Sequence, residues 1–453
     1  MNKAFEKYLE EAIGHENALV AFSAFSQPAS VSVRINPFKT CPPPQGCAIP
    51  WAMRGIMLDH RPSFTLDPLF HAGVYYVQDS SSMFVGHVLR NVLETFPFPA
   101  SRPLRVLDLC AAPGGKTTDL ASSLRSFCGD NFILVANEVM KARVGILADN
   151  VALWGDPNVV VTSDDPRAFA SLCGYFDIIL ADVPCSGEGM FRKDEQALQQ
   201  WSVDNVALCE ARQRRIIADM WPALATGGVL IYSTCTFNKY ENDGNVKWIS
   251  ENLGAEILPN DIYQPRVLKT DYGYSLVPGF VEGEGQYCAS LRKTSEVDFV
   301  AARSGSRVDK KPGNVSLPDG LDKLFKRKMK FVLRGDMVTA LPENIASDAA
   351  LLRQGLHVIS AGCAVGTLKG KLLVPDADLA LSIMLSDDSY PRCEVDRQTA
   401  LKYLHRDTIV LENTPKGYVL VCFEGHPLGF VKNLGNRCNS LHPQSRRIRM
   451  NVD

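Results

Sequence analysis

Leu107-Asp108-Leu109-Cys110-Ala111-Ala112-Pro113-Gly114-Gly115-Lys116-Thr117 is the stretch that decides the fold. It ends an aliphatic run (104–109) in a turn of small residues that opens into a helical stretch, the pattern of a strand, tight turn and helix. Small residues there let a ligand approach the backbone amides at the helix N-terminus. A triphosphate loop would need Gly-x-x-x-x-Gly-Lys-Thr, and its first glycine would fall on residue 110, which is cysteine. An NTPase is therefore disfavoured. A nucleoside-bearing cofactor bound in Rossmann fashion asks instead for an acid after the second strand, and Glu138 stands there.

Outward from this turn, aliphatic runs at 132–137, 159–162, 176–181 and 229–233 alternate with helical stretches, which predicts βαβ units and a parallel sheet. Val144, Leu147, Val151 and Trp154 recur at helical spacing and read as a core stripe. A second covering helix is expected over 203–224, ended by Gly227-Gly228. Asp164 and Asp165 follow the third strand, where a carboxylate could reach an adenine amino group. Each taken singly reads first as a turn residue or helix cap, but with Asp108 and Glu138 they form a set at successive strand ends. The fourth and fifth strands run into Asp182-Val183-Pro184-Cys185 and Tyr232-Ser233-Thr234-Cys235, so both thiols should open onto one crevice. Two thiols with a carboxylate can attack an electron-poor ring or carbonyl carbon and later release it. Cys110, Cys128, Cys173, Cys209 and Cys422 read as small apolar residues.

At 453 residues the chain should divide into two or three domains. With 46% hydrophobic and 22% charged residues it has an ordinary globular composition, and no apolar run approaches a membrane span. Glu10 and Glu11 interrupt the start where a secretory signal would be apolar, and the 13 cysteines contain no Cys-x-x-Cys pair. A reduced, cytoplasmic protein without disulfides is expected. None of the eight histidines pairs at metal-ligand spacing, so no metal is assigned. The net charge is only −2, but basic residues cluster at Lys323, Lys326, Arg327, Lys328 and Lys330, and at Lys432, Arg437, Arg446, Arg447 and Arg449. Such clusters are either solvated faces or phosphate contacts, as are Arg192 and Lys193 beyond the Pro-Cys loop.

The blocks DLCAAPGGKTT, ANEVMKARV, FDIILADVPCSGEGMFRK and GGVLIYSTCTFNKYEN, with AGVYYVQDSSSM upstream, resemble those of the NOL1/NOP2/Sun family of RNA cytosine-5 methyltransferases over roughly residues 30–292. The resemblance implies S-adenosylmethionine as cofactor, held by Cys110, Ala111, Ala112, Pro113, Gly114, Gly115, Lys116, Glu138, Asp165 and Asp182. Lys116 reads either as a contact to the cofactor carboxylate or as a support for the loop. The resemblance also implies a cytosine in RNA as substrate, with Cys235 as nucleophile, Cys185 assisting release and Asp182 serving the ring nitrogen. The chemistry agrees: C5 of cytosine becomes nucleophilic only after a thiolate adds to C6. The residues by themselves leave Cys185 and Cys235 interchangeable, because DNA cytosine methyltransferases use a Pro-Cys nucleophile.

The plan resembles that of bacterial RsmF-like rRNA methyltransferases. It implies an N-terminal α+β RNA-binding extension (1–95), a Rossmann-like methyltransferase domain (96–293), a linker (294–314), an intermediate subdomain (315–387) and a small β-rich PUA-like RNA-binding module (388–453). The expected partner is 16S ribosomal RNA or the small ribosomal subunit, approached by a monomer with no membrane. A transfer RNA substrate, or a ribosome-assembly factor without turnover, would share the fold; the intact Cys185, Cys235 and Asp182 speak against the latter.

Overall fold

The computed structural model describes residues 2–259, 264–297 and 317–452. Two helices open the chain, Lys3–Ile13 and His15–Phe25, the first capped by the Asn2 side chain, which accepts the Ala4 amide at 2.9 Å. Phe5 and Leu9, one turn apart, are buried with Trp201 and Phe237, so this helix packs against residues some two hundred positions later in the chain. Those strands, β1 (Ser32–Ile35), β2 (Gly46–Ala48), β3 (Gly55–Leu58) and β4 (Tyr75–Val77), form an antiparallel sheet in the order β2-β3-β1-β4. The strand expected around 31–36 is β1.

The central sheet begins with β5 (Leu104–Asp108), β6 (Phe132–Asn137), β7 (Val159–Thr162), β8 (Phe176–Asp182) and β9 (Leu224–Thr234). These five pair in parallel in the order β9-β8-β5-β6-β7. β6 and β7 are buried along their whole length, which is why they read as unbroken apolar runs. β10 (Ala255–Ile257), β11 (Leu268–Lys269), β12 (Tyr274–Leu276) and β13 (Gln286–Lys293) follow, β13 running antiparallel beside β9. The helix Lys141–Trp154 buries Val144, Leu147, Val151 and Trp154 as the stripe required. The helix expected over 203–224 stops at Met220. Pro222 cannot donate to the preceding turn, a 3₁₀ turn Trp221–Ala223 closes the helix, and Gly227 and Gly228 lie inside β9.

The C-terminal third supplies β14 (Met329–Arg334), β15 (Met337–Pro342), β16 (Val358–Ala361), β17 (Cys363–Lys369) and β18 (Leu372–Pro375). Four of them form a sheet β14-β15-β17-β18, while β16 leaves it and pairs antiparallel with β7 as the outer strand of the central sheet. The helix Ala346–Gly355 packs Ala349 and Leu352 into the same core as Leu107, Ile133 and Ile179. A last sheet holds β19 (Arg392–Glu394), β20 (Gly417–Phe423), β21 (His426–Asn433) and β22 (Cys438–Ser440), the β-rich module read from the sequence. Most of the expected linker, 298–314, lies outside the described residues. Among the described residues no helix is long and apolar enough to cross a membrane.

Candidate active site

In the central sheet the chain winds from β5 to β6 and β7 on one side, then to β8 and β9 on the other, so the order reverses between β5 and β8. Open α/β sheets bind ligands beyond the carboxyl ends of the strands at such a point. There β5 runs into the turn 109–114, and Gly114 takes φ 111°, a left-handed conformation that favours glycine, as it caps the helix Gly115–Cys128. The first-turn amides of that helix have no helical acceptors and favour anionic groups. Asp108, fully buried at the end of β5, accepts from Thr117 Oγ1 at 2.7 Å through Oδ2. Its Oδ1 has no partner among the described residues, and burial pushes its pKa up to about 7. Glu138, buried beyond β6, accepts from the Met140 amide at 2.8 Å, with Arg143 at 3.4 Å. An adenosyl cofactor bearing a ribose diol, an ammonium and a carboxylate fits this set: the acids can accept from the first two, and the helix N-terminus suits the third.

The third strand end behaves differently. Asp165 caps the 3₁₀ turn Pro166–Ser171, accepting from the Arg167 amide at 3.1 Å and its side chain at 3.0 Å, which is the cap alternative for this residue. Asp164 Oδ2 accepts from the His357 amide at 2.8 Å, so it holds the approach to β16.

The two cysteines meet. Asp182 of β8 stands level with Ser233 of β9, and the loops beyond them bring Cys185 Sγ and Cys235 Sγ to 3.2 Å. The hydrogen bond to Cys235 and then burial push the Cys185 thiol well up, so Cys185 keeps its proton. Two buried carboxylates hold these loops together. Glu241 accepts from the Ser186 amide at 3.0 Å, from Gln213 at 2.7 Å and from Asn238 at 2.8 Å. Glu188 accepts from the amides of Phe237 at 2.7 Å and Asn238 at 3.0 Å, and from Trp201 Nε1 at 2.9 Å. The Gly189 amide donates to the Cys235 carbonyl at 2.8 Å, and a Cβ on Gly189 would lie 2.7 Å from that oxygen, so only glycine fits.

Asp182 is held from two sides. Lys116 Nζ lies 2.9 Å from Oδ2, and Gln286 Nε2 donates to Oδ1 at 3.1 Å. Burial disfavours the Lys116 ammonium, but the Asp182 carboxylate outweighs burial, and Lys116 titrates above its usual value. Lys116 therefore backs Asp182, a partner that neither expectation for Lys116 named. Gln286, Glu188 and Glu241 were not singled out from the sequence: both glutamates lie within the blocks quoted above, but nothing in their spacing announces burial.

A model described as the 16S rRNA methyltransferase RsmB/F matches residues 100–292. Models of the N-terminal domain of 16S rRNA methyltransferase RsmF and of the methyltransferase RsmF PUA domain match 1–80 and 390–448. The ribosomal RNA small subunit methyltransferase F of Salmonella agona is 30% identical over 97% of this chain and 95% of its own. This chain belongs to the RsmF family of 16S rRNA methyltransferases. The Shewanella sp. strain W3-18-1 member is 29% identical over 93% of this chain and 91% of its own. A methyltransferase homologue from Pyrococcus horikoshii superposes with a TM-score of 0.54 at 28% identity, over 65% of this chain and 95% of its own. The fold is also that of NSun6 from the same organism, solved with SFG, with a TM-score of 0.53 at 20% identity over 65% of this chain and 99% of that one.

In this RsmF-family chain several basic residues read as solvated faces or phosphate contacts form ion pairs within the protein. Arg192, 8% exposed, is bonded to Glu284 at 2.8 Å and donates to the Gly283 carbonyl at 2.6 Å, so it is neither a solvated residue nor a free phosphate contact. Lys193 lies 3.4 Å from Asp79. Arg446, 12% exposed, joins Asp149 and Asp378, and Arg327 pairs with Asp130. Lys323, Lys328, Lys330, Lys432, Arg437 and Arg449 remain exposed.

Proposed function

We propose that this chain forms 5-methylcytosine in small-subunit ribosomal RNA, using S-adenosylmethionine and a covalent bond from Cys235 to the target base. The observation that carries this reading is the 3.2 Å approach of Cys185 and Cys235 beside Asp182. S-adenosylmethionine, when bound, supplies an electrophilic methyl group. Residues 110–115, with Glu138 and Asp182, would hold it, while Lys116 backs Asp182 and Asp165 caps its own turn.

The thiolate of Cys235 adds to C6 of the flipped cytosine, and the electrons of the C5–C6 double bond move toward C5 and N3. Asp182, with the Lys116 ammonium at its back, shares a proton with the ring nitrogen as charge develops there. After methylation, the proton on C5 must leave so that the double bond re-forms and the C6–S pair returns to Cys235. Cys185 suits this step. It lies 3.2 Å from Cys235 and so stands beside the base once the adduct has formed. Once Cys235 is bound to the base, Cys185 releases its thiol proton to solvent, and the resulting thiolate takes the C5 proton as the C6–S bond breaks.

Bisulfite sequencing of RNA from a deletion strain, with and without the gene restored, tests the function. Loss of one ribosomal RNA mark is expected. Loss of a transfer RNA mark would replace the substrate, and an unchanged pattern would overturn the enzymatic reading.

A further inference from the structure

We propose that Gln286 is a positioning residue for Asp182 and that, with Ser82, it closes a ring of side chains that orients the carboxylate toward the base. The proposal rests on the reading of Asp182 as the group that serves the cytosine ring.

Four segments far apart in sequence supply the ring. Lys116 Nζ approaches Asp182 Oδ2 at 2.9 Å; Gln286 Nε2 donates to Asp182 Oδ1 at 3.1 Å; Ser82 Oγ donates to Gln286 Oε1 at 3.3 Å; and Lys116 Nζ donates to Ser82 Oγ at 3.4 Å. Gln286 is fully buried. Its nitrogen end faces three oxygens, Asp182 Oδ1, Ser233 Oγ and the Thr234 carbonyl. Reversing the amide would turn its oxygen onto a carboxylate and a carbonyl, so the surroundings fix its orientation. Topology explains how a residue so late in the chain arrives here. β13 runs antiparallel to β9, with Tyr287 opposite Thr234, so it begins where the parallel strands end.

A neutral amide suits the position for a chemical reason. Asp182 needs both oxygens fixed but must exchange a proton with the base, and a second cation on Oδ1 would hold it too firmly ionised. An amide orients the carboxylate while leaving its proton affinity to Lys116 and the substrate. A carboxylate at 286 would instead set a second negative charge against Asp182 Oδ1, and two like charges at that distance repel.

The test uses the full chain with S-adenosylmethionine and a ribosomal RNA fragment, measuring kcat and KM from pH 5 to 9. Gln286→Leu should lower kcat by about 10- to 100-fold, within the range for an impaired acid–base group, with KM for both substrates within about twofold. Gln286→Glu should move the alkaline limb of kcat to higher pH, and Ser82→Ala should lower kcat less than Gln286→Leu does. Melting curves control for folding, and Ser82→Ala with Gln286→Glu carry the test if Gln286→Leu does not fold. Wild-type kcat in all three variants, or a change confined to KM, overturns the role of Gln286. A parallel assay of covalent RNA adduct in a Cys185→Ala background separates the two levels: no adduct with Gln286 intact overturns the cysteine chemistry itself.

Discussion

Asp182 and Ser233 stand level across the β8–β9 ladder, and this register sets the 3.2 Å meeting of Cys185 and Cys235 just beyond it. A slip of one residue would displace one loop by about 3.3 Å and turn its side chains to the opposite face. The pair is thus a property of the sheet as well as of the loops.

If the two thiols divide the work as proposed, their alanine variants fail differently. Cys185→Ala should accumulate a denaturant-stable protein–RNA adduct on gels in the presence of cofactor, and Cys235→Ala should form none. Adduct with Cys235→Ala would exchange their roles.

Replacing Asp182 with asparagine keeps its shape but removes the proton-sharing carboxylate. A fall in kcat of about 10²- to 10⁴-fold is expected, with cofactor retention by equilibrium dialysis changed much less. A variant with wild-type turnover would remove Asp182 from the mechanism.

Glu241 gives the fold a pH signature. Burial raises its pKa from 4.5 to about 7. Because the folded state holds this proton when the unfolded state has lost it, stability falls as pH rises from about 4.5 to 7, by at most about 1.4 kcal/mol per pH unit from this group. Glu241→Gln should flatten the dependence of Tm on pH in that window. An unaltered slope would show that Glu241 ionises normally.

Arg192 and the exposed lysines should separate cleanly. Arg192→Ala leaves the buried Glu284 with Lys193, 3.9 Å away, as its remaining cation and should cost up to about 3–5 kcal/mol in denaturant unfolding. It should leave the salt dependence of RNA binding unchanged. Replacing Lys323, Lys328 and Lys330 together with glutamate should instead spare Tm and flatten the plot of log affinity against log salt, by roughly 0.7–0.9 for each phosphate no longer neutralised. An unchanged slope would remove that cluster from the RNA interface.

The parallel core was legible because four of its five strands are short apolar runs that lead into a chemically distinctive residue: Asp108, Glu138, Asp182 or Cys235. Partner choice was not. Whether Lys116 turns to a cofactor or to Asp182 depends on side-chain reach, and whether Asp165 faces a ligand or caps its own turn depends on a local hydrogen bond that costs no long-range closure. β13 brings Gln286 into the site by antiparallel pairing, which leaves no mark on the three or four letters around it. β16 is shorter still, and its partner β7 lies some two hundred residues earlier. Gly227-Gly228 misled as a helix stop because Pro222 had already acted.

β16 also bears on how the protein can be divided. It covers the flank of β7, whose amides and carbonyls would otherwise be open for pairing with another chain. Cutting after residue 297 would leave a catalytic fragment with every cysteine of the site but a raw sheet edge, a template for self-association. The C-terminal third therefore protects the catalytic sheet from its own stickiness.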